Sequence, residues 1–211
     1  GDKVINYIID DCGVCPDCKH HHENICSNFT KGTAYFNENG FSGFYGFSEY
    51  AVVKARHLYV YPKETPDDEA AFTEPLACVI NSINRSHIKM GDDVVVIGGG
   101  IMGLLHVLCA KRQGARVILS ETDAKRRAFG LKLGAHNVIA PLEFDPVEQV
   151  KKLTNGRGAN VVENTTAIPS VAAQAIQMTA KSGLCNMFSS IHPNEPILVD
   201  AGRLHSQEIV V

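Results

Sequence analysis

The run Val94-Val95-Val96-Ile97-Gly98-Gly99-Gly100-Ile101-Met102-Gly103 constrains this chain more than any other. Four consecutive β-branched apolar residues have no polar face to turn to water, the pattern of a parallel strand covered on both sides. The glycines follow as Gly98-x-Gly100-x-x-Gly103. In a strand-to-helix turn the first permits the tight backbone and the second leaves nothing between backbone and a pyrophosphate. The third lets the helix sit close on the strand. Ile101, Leu104, Leu105 and Leu108 then recur at helical spacing, so the loop is expected to open a helix whose free N–H groups face phosphates. A dinucleotide site is the reading; a merely structural glycine turn is the alternative.

The rest of that half repeats the strand–helix rhythm. Val117-Ile118-Leu119-Ser120-Glu121 reads as a second strand ending in an acid, eighteen residues past Gly103. In a dinucleotide fold such a carboxylate accepts hydrogen bonds from the adenosine ribose and repels a 2′-phosphate, which predicts NAD rather than NADP; Arg126 and Arg127 are the side chains that could still receive a phosphate. An amphipathic helix over 125–133 stops at Gly134, and further strands are expected at 138–139, 161–164, 184–188 and 209–211, with a helix over 172–180. This alternation predicts an α/β fold, a doubly wound parallel sheet of order 3-2-1-4-5-6.

The first third carries different chemistry. Cys12, Cys15 and Cys18 are spaced by two residues, and Cys26 follows after seven more. Such gaps turn successive thiolates toward one point, and the longer loop brings in a fourth to close a tetrahedral S4 zinc site with no open position. Disulfides are the competing reading, set against overlapping C-x-x-C spacings and no signal-peptide pattern. His20, His21 and His22 read as a solvated loop beside a filled shell, and Cys78, Cys109 and Cys185 as core thiols. Residues 32–46 read as a loop, with short strands at 47–53 and 58–61 ended by Pro62 and Pro66. Beyond them Thr73 or Glu74 is placed to cap a helix with Pro75 in its first turn, and Leu76, Val79, Ile80 and Ile83 as its buried stripe. Glu74 read alone is a capping acid, favoured by the positive helix end.

A net charge of −3 argues against a nucleic-acid or anionic-membrane surface, and no apolar run approaches the about 18 residues of a membrane span. The first residue is Gly1 and the last, Val211, falls within an expected strand, so the chain reads as a piece of a longer protein.

In order along the chain, the four cysteines, Glu74-Pro75-Leu76, the glycine loop, Glu121 and Leu133-Gly134-Ala135 resemble the zinc-dependent medium-chain dehydrogenases, above all their sorbitol and polyol branch. The resemblance implies a GroES-like catalytic domain with a zinc lobe, in part present over 1–72, and an NAD-binding Rossmann domain over 73–211. It implies structural zinc on Cys12, Cys15, Cys18 and Cys26. Gly98, Gly100, Ile101 and Gly103 would hold the pyrophosphate, Met102 would lie near the nicotinamide, Glu121 would hold the ribose, and Arg126 would lie beside the adenosine. Glu74 would join or border a catalytic zinc whose other family ligands, a Cys and a His-Glu pair, stand upstream of Gly1. His57 and His87 occupy no family ligand position. Asn164-Thr165-Thr166 and Ser189-Ser190-Ile191 stand where the family has glycine-rich strand ends. The implied activity is hydride transfer from an alcohol or polyol to NAD in a cytoplasmic homo-oligomer, a dimer or tetramer; a non-catalytic, zinc-stabilised dinucleotide-binding module is the second reading.

Overall fold

The computed structural model describes residues 1–9, 11–28, 49–50, 53, 55–191 and 194–211. They form two compact units, Gly1–Glu74 and Pro75–Val211.

In the first unit β1 (Val4–Asn6) pairs antiparallel with β2 (Leu58–Val60), Val4 opposite Val60 and Ile5 opposite Tyr59. Sequence reasoning located β2 but not β1, because three residues are too few to display an alternation. Lys3 anchors the pair's edge, its ammonium donating to Asp67 Oδ1 at 2.7 Å and to the Thr65 carbonyl at 3.1 Å. The unit's described residues include two short α-helices, α1 (Pro16–Lys19), which opens on a proline, and α2 (Asp67–Ala70), which follows Pro66. The expected loop at 32–46 lies outside the described residues, as does most of the strand expected at 47–53.

The second unit is built on a five-stranded parallel sheet of β3 (Asp93–Ile97), β4 (Arg116–Ser120), β5 (Asn137–Ile139), β6 (Ala159–Asn164) and β7 (Thr179–Met187). Their spatial order is β5-β4-β3-β6-β7, the first five places of the expected winding. β3 shows why an unbroken apolar run suits a central strand. Val95 and Ile97 enter one core with Val147, Val150, Ala175 and Ile176, whereas Val94 and Val96 enter the other with Val79, Ile83, Val107 and Ala110. The first set of helical partners belongs to α6 (Pro146–Leu153) and α7 (Pro169–Met178), the second to α3 (Thr73–Arg85) and α4 (Ile101–Arg112). Each fully buried valine contributes about 1.5–3 kcal/mol relative to exposure, so β3 is the hub of both cores. On the flank, α5 (Ala124–Leu133) is capped by Asp123 and ended by Gly134 at φ 112°.

Several expectations are corrected. The buried line of α4 runs through Gly103, His106, Val107 and Ala110, while Ile101 is exposed and Leu104, Leu105 and Leu108 are half-buried. Gly103 lets the first turn lie close on the loop, and the leucines flank the buried line. On α3 the buried positions are Val79, Ser82 and Ile83, and Ile80 faces out. Its N-terminus lies at Thr73, so Thr73 and Glu74 stand within the first turn. Cys185 is buried as expected, but Cys78 is exposed and Cys109 half-buried, because both lie beside rather than on the buried line of their helices. α7 ends at Met178 and β7 starts at once, with a register shift and Ser182 at φ 55°. Where a sixth strand is expected to begin, Val210 bridges parallel to Leu184, following α8 (Ala201–Gln207), in agreement with the expectation.

Candidate functional site

The chain winds from β3 through β4 to β5 in one direction and continues to β6 and β7 in the other. The crevice beyond the C-terminal ends of β3 and β6 is therefore the topological switch point, where open α/β sheets bind ligands. The glycine loop stands there. Gly98 has φ 99°, and a Cβ on it would lie 2.8 Å from Thr165 Oγ1. A Cβ on Gly103 would lie 1.8 Å from the Gly98 carbonyl oxygen, so only glycine admits this approach of helix to loop. At Gly100 a Cβ would meet nothing within 4 Å. Sterics inside the chain thus account for Gly98 and Gly103, whereas Gly100 leaves open space in front of the first turn of α4. That turn has no side-chain cap, and Gly100 is its N-cap, so backbone donors are available to an anion there.

Glu121 follows β4 directly and is buried. Its carboxylate accepts from the Gly99 N–H, from the Asp123 N–H at 2.7 Å and from the Thr122 hydroxyl at 3.0 Å. Burial pushes its pKa up, but these hydrogen bonds and the Arg126 charge outweigh burial and hold it below the ordinary value. The acid is thus tied to the glycine loop itself. Arg127 donates to the carbonyls of Glu121 and Thr122 at 2.8 and 2.6 Å, which commits it locally, whereas Arg126 is exposed. A cleft of about 150 Å³ runs from Gly98 past Glu121 and Thr122 to Thr166, Ile168 and Val171. Thr166, just past β6, lines it; the Thr165 hydroxyl donates to the Ile97 carbonyl at 2.7 Å, and that of Thr166 to Asn164 Oδ1 at 2.8 Å.

In the first unit the ligand atoms of Cys12, Cys15, Cys18 and Cys26 all lie within 4.8 Å of one another. Cys15 and Cys18 Sγ are 3.4 Å apart, Cys15 and Cys26 3.8 Å, and Cys12 and Cys18 3.9 Å. A tetrahedron with Zn–S of about 2.3 Å has S···S edges of about 3.8 Å, so the set fits zinc. None of the four is in a disulfide. Hydrogen bonds from the Val14 N–H, Asn28 and the Cys15 N–H draw the Cys12 thiol down to about 6, while burial pushes Cys18 up to about 12. Four adjacent thiolates repel one another unless a dication offsets their charge.

Among the described residues this is the one group with metal-ligand geometry, and Glu74 joins no such group. Glu74 is exposed in the first turn of α3. His20, His21 and His22 are exposed. His57 is buried, with Nε2 2.9 Å from Asp11 Oδ1, which gives it a structural partner. Sequence reasoning missed Arg127 as a brace of the acid's own loop. It also missed a buried polar cluster of Ser82, Ser86, His106 and Glu163, with half-buried Asn186 against it, whose one local signal is a glutamate inside an apolar strand.

A switch-point crevice with a glycine loop and a tied acid defines a dinucleotide fold, and the four-cysteine lobe beside it in sequence has metal-ligand spacing. Residues 102–211 match the family model for zinc-binding dehydrogenases, and residues 1–63 match that of the alcohol dehydrogenase GroES-like domain. The chain belongs to the zinc-binding dehydrogenase family. Its relatives include L-threonine 3-dehydrogenase from Thermococcus kodakarensis, 32% identical over 92% of this chain and 53% of that protein. Sorbitol dehydrogenase from Halalkalibacterium halodurans is 34% identical over 87% of this chain and 52% of that one. The chain spans about half the length of the curated relatives it matches. A zinc-binding dehydrogenase from Sinorhizobium meliloti bound to NADP shares the fold with TM-score 0.89 and 26% identity, over 100% of this chain and 60% of its own. No helix among the described residues is long and apolar enough to cross a membrane.

Proposed function

We propose that this protein is part of a zinc-containing oxidoreductase that transfers hydride from an alcohol or polyol to NAD. The observation that carries the reading is Glu121, held at the end of β4 by the Gly99 N–H beside an uncapped helix N-terminus. In that reading Gly98, Gly100 and Gly103 bring the backbone up to the pyrophosphate, and the first-turn N–H groups at Ile101 and Met102 face it. Glu121 accepts the adenosine ribose hydroxyls, Arg126 lies along the adenosine and the Met102 side chain backs the nicotinamide. The relatives with sorbitol and L-threonine in their names support a hydroxyl-bearing substrate. When bound, the nicotinamide takes the hydride; this chain's own part is to bind and orient it.

The four lobe cysteines fit a structural zinc. Glu74 is carried over from the family resemblance as a residue of the catalytic zinc. A catalytic site needs about three protein ligands and an open position, so one carboxylate does not make one, and no step is derived through that metal. The assembly proposed is a homo-oligomer and the compartment the cytoplasm.

Calorimetric titration with NAD and with NADP tests the cofactor reading. NAD is expected to bind about tenfold more tightly or better, the scale of one hydrogen bond to a charged group. Glu121→Ala is expected to remove most of that difference. Equal dissociation constants in the unaltered protein would overturn the preference; no binding of either would overturn the dinucleotide reading.

A further inference from the structure

Beneath the glycine loop lies a group of polar side chains that cofactor binding, as described above, does not use. Glu163 and His106 are both fully buried, on β6 and α4. Glu163 accepts from the Ser82 hydroxyl at 2.9 Å and from the Ser86 hydroxyl at 2.5 Å. Asn186 of β7 donates to Ser82 Oγ at 2.8 Å. His106 Nε2 lies 3.0 Å from the same Ser82 oxygen, and its Nδ1 lies 2.8 Å from the carbonyl oxygen of Met102. The imidazole is gripped on its flank by Phe188, ring centroids 4.7 Å apart and edge to face.

The proton positions follow from donor and acceptor chemistry. A carbonyl oxygen only accepts, so the bond to Met102 requires the hydrogen on Nδ1. In a neutral ring Nε2 then carries a lone pair toward Ser82. Ser82 has one proton and two acceptors to serve, Nε2 and the Glu163 carboxylate, so a donor at position 163 would free that proton for Nε2. Burial pushes the His106 pKa down, against the Met102 carbonyl and the Glu163 charge, which favours the neutral ring.

The end point of this chain is Met102, in the first turn of α4. That turn lacks a side-chain cap, so its own N-terminal donors do little to keep it from fraying. We propose that Ser82, His106 and Glu163 are positioning residues for the dinucleotide, a hydrogen-bonded chain anchored on β6 that pins the Met102 carbonyl and so aims the first turn of α4 at the pyrophosphate. The proposal rests on the dinucleotide reading above. It predicts that a carboxamide at position 163 works as well as the carboxylate. The amide N–H would donate into the serines and free the Ser82 proton for His106, whereas an apolar side chain there leaves the chain open.

Binding of NADH, ADP-ribose and AMP is to be compared in unaltered protein, His106→Phe, Glu163→Leu, Glu163→Gln and the milder Ser82→Ala, alongside imidazole ¹⁵N spectra of the unaltered protein. The phenylalanine keeps the ring packing and loses both hydrogen bonds. His106→Phe and Glu163→Leu are expected to weaken NADH and ADP-ribose about tenfold, as for one to two lost hydrogen bonds, while AMP, which lacks the pyrophosphate, changes less than about twofold. Glu163→Gln is expected to bind all three as the unaltered protein does, and the ¹⁵N spectrum to show Nδ1 protonated. Where a larger change fails to fold, Ser82→Ala carries the comparison, with the same selective loss expected. An Nε2–H tautomer, unaltered ADP-ribose affinity in the variants, equal loss of AMP, or failure of Glu163→Gln to rescue would each overturn the proposal. Unaltered protein that binds none of the three ligands would overturn the dinucleotide reading itself, and this proposal with it.

Discussion

Three glycines of one loop do three different jobs, and substitution separates them. Gly103→Ala puts a methyl 1.8 Å from the Gly98 carbonyl oxygen, so helix or loop must move. A loss of about 1–3 kcal/mol or more is expected, seen as a lower urea midpoint whether or not cofactor is present. Gly100→Ala meets nothing and keeps an ordinary φ of −73°, so it should cost under about 1 kcal/mol yet weaken NADH binding sharply, because the methyl occupies the space left for phosphate. Similar stability losses in the two variants would contradict this division. Glu121 carries a pH signature. Its folded pKa lies below the unfolded value, so its stabilising effect is complete above about pH 4.3 and is lost as pH falls through the folded pKa. The stability advantage of the unaltered protein over Glu121→Gln should be constant from pH 7 to 5 and shrink below pH 4. An advantage that grew on acidification would contradict the sign.

At the scale of elements, helix ends define where the sheet's crossovers turn. α6 starts on Asp145, whose carboxylate accepts from the N–H groups of Val147 at 2.8 Å and Glu148 at 3.0 Å, with Pro146 at the first helical position. Asp145→Ala leaves two donors to water and should cost about 1–2 kcal/mol, a fall of a few degrees in Tm. Asp145→Asn keeps the acceptor and should recover most of it; equal melting of the two variants would argue that the cap contributes nothing. α4 is the contrast. It opens on Gly100, which has no side chain to accept from the first turn. Behind its first turn the His106 ring meets the Met102 carbonyl at 2.8 Å.

For the whole molecule, the two units hold themselves together by different physics. Pro75–Val211 has two apolar cores around a sheet, whereas among the described residues of Gly1–Glu74 the buried cluster consists of Cys15, Cys18 and Cys26 with Cys12 against them. A lobe with so little apolar area among its described residues is expected to depend on a metal held by these cysteines. Native mass spectrometry should find one zinc per chain. A strong chelator under reducing conditions should abolish amide protection at residues 11–28 while NADH binding persists. Absence of zinc, or two disulfides among the four cysteines, would refute the assignment.

Much of this was legible in the sequence because it is encoded locally. The winding of the sheet follows from apolar runs and glycine stops, the Cys₄ set from gaps of two and seven residues, and the place of Glu121 from its position at the end of a strand. What only the tertiary structure decided depends on register between distant segments. The buried line of α4 is set by how closely Gly103 lets the helix approach Gly98, not by where its leucines recur. Glu163 meets Ser82 across 81 residues and His106 meets Ser82 across 24. A polar side chain in an apolar run announces that it needs a partner, but its partner is chosen by the packing of helices on strands, which no local pattern contains.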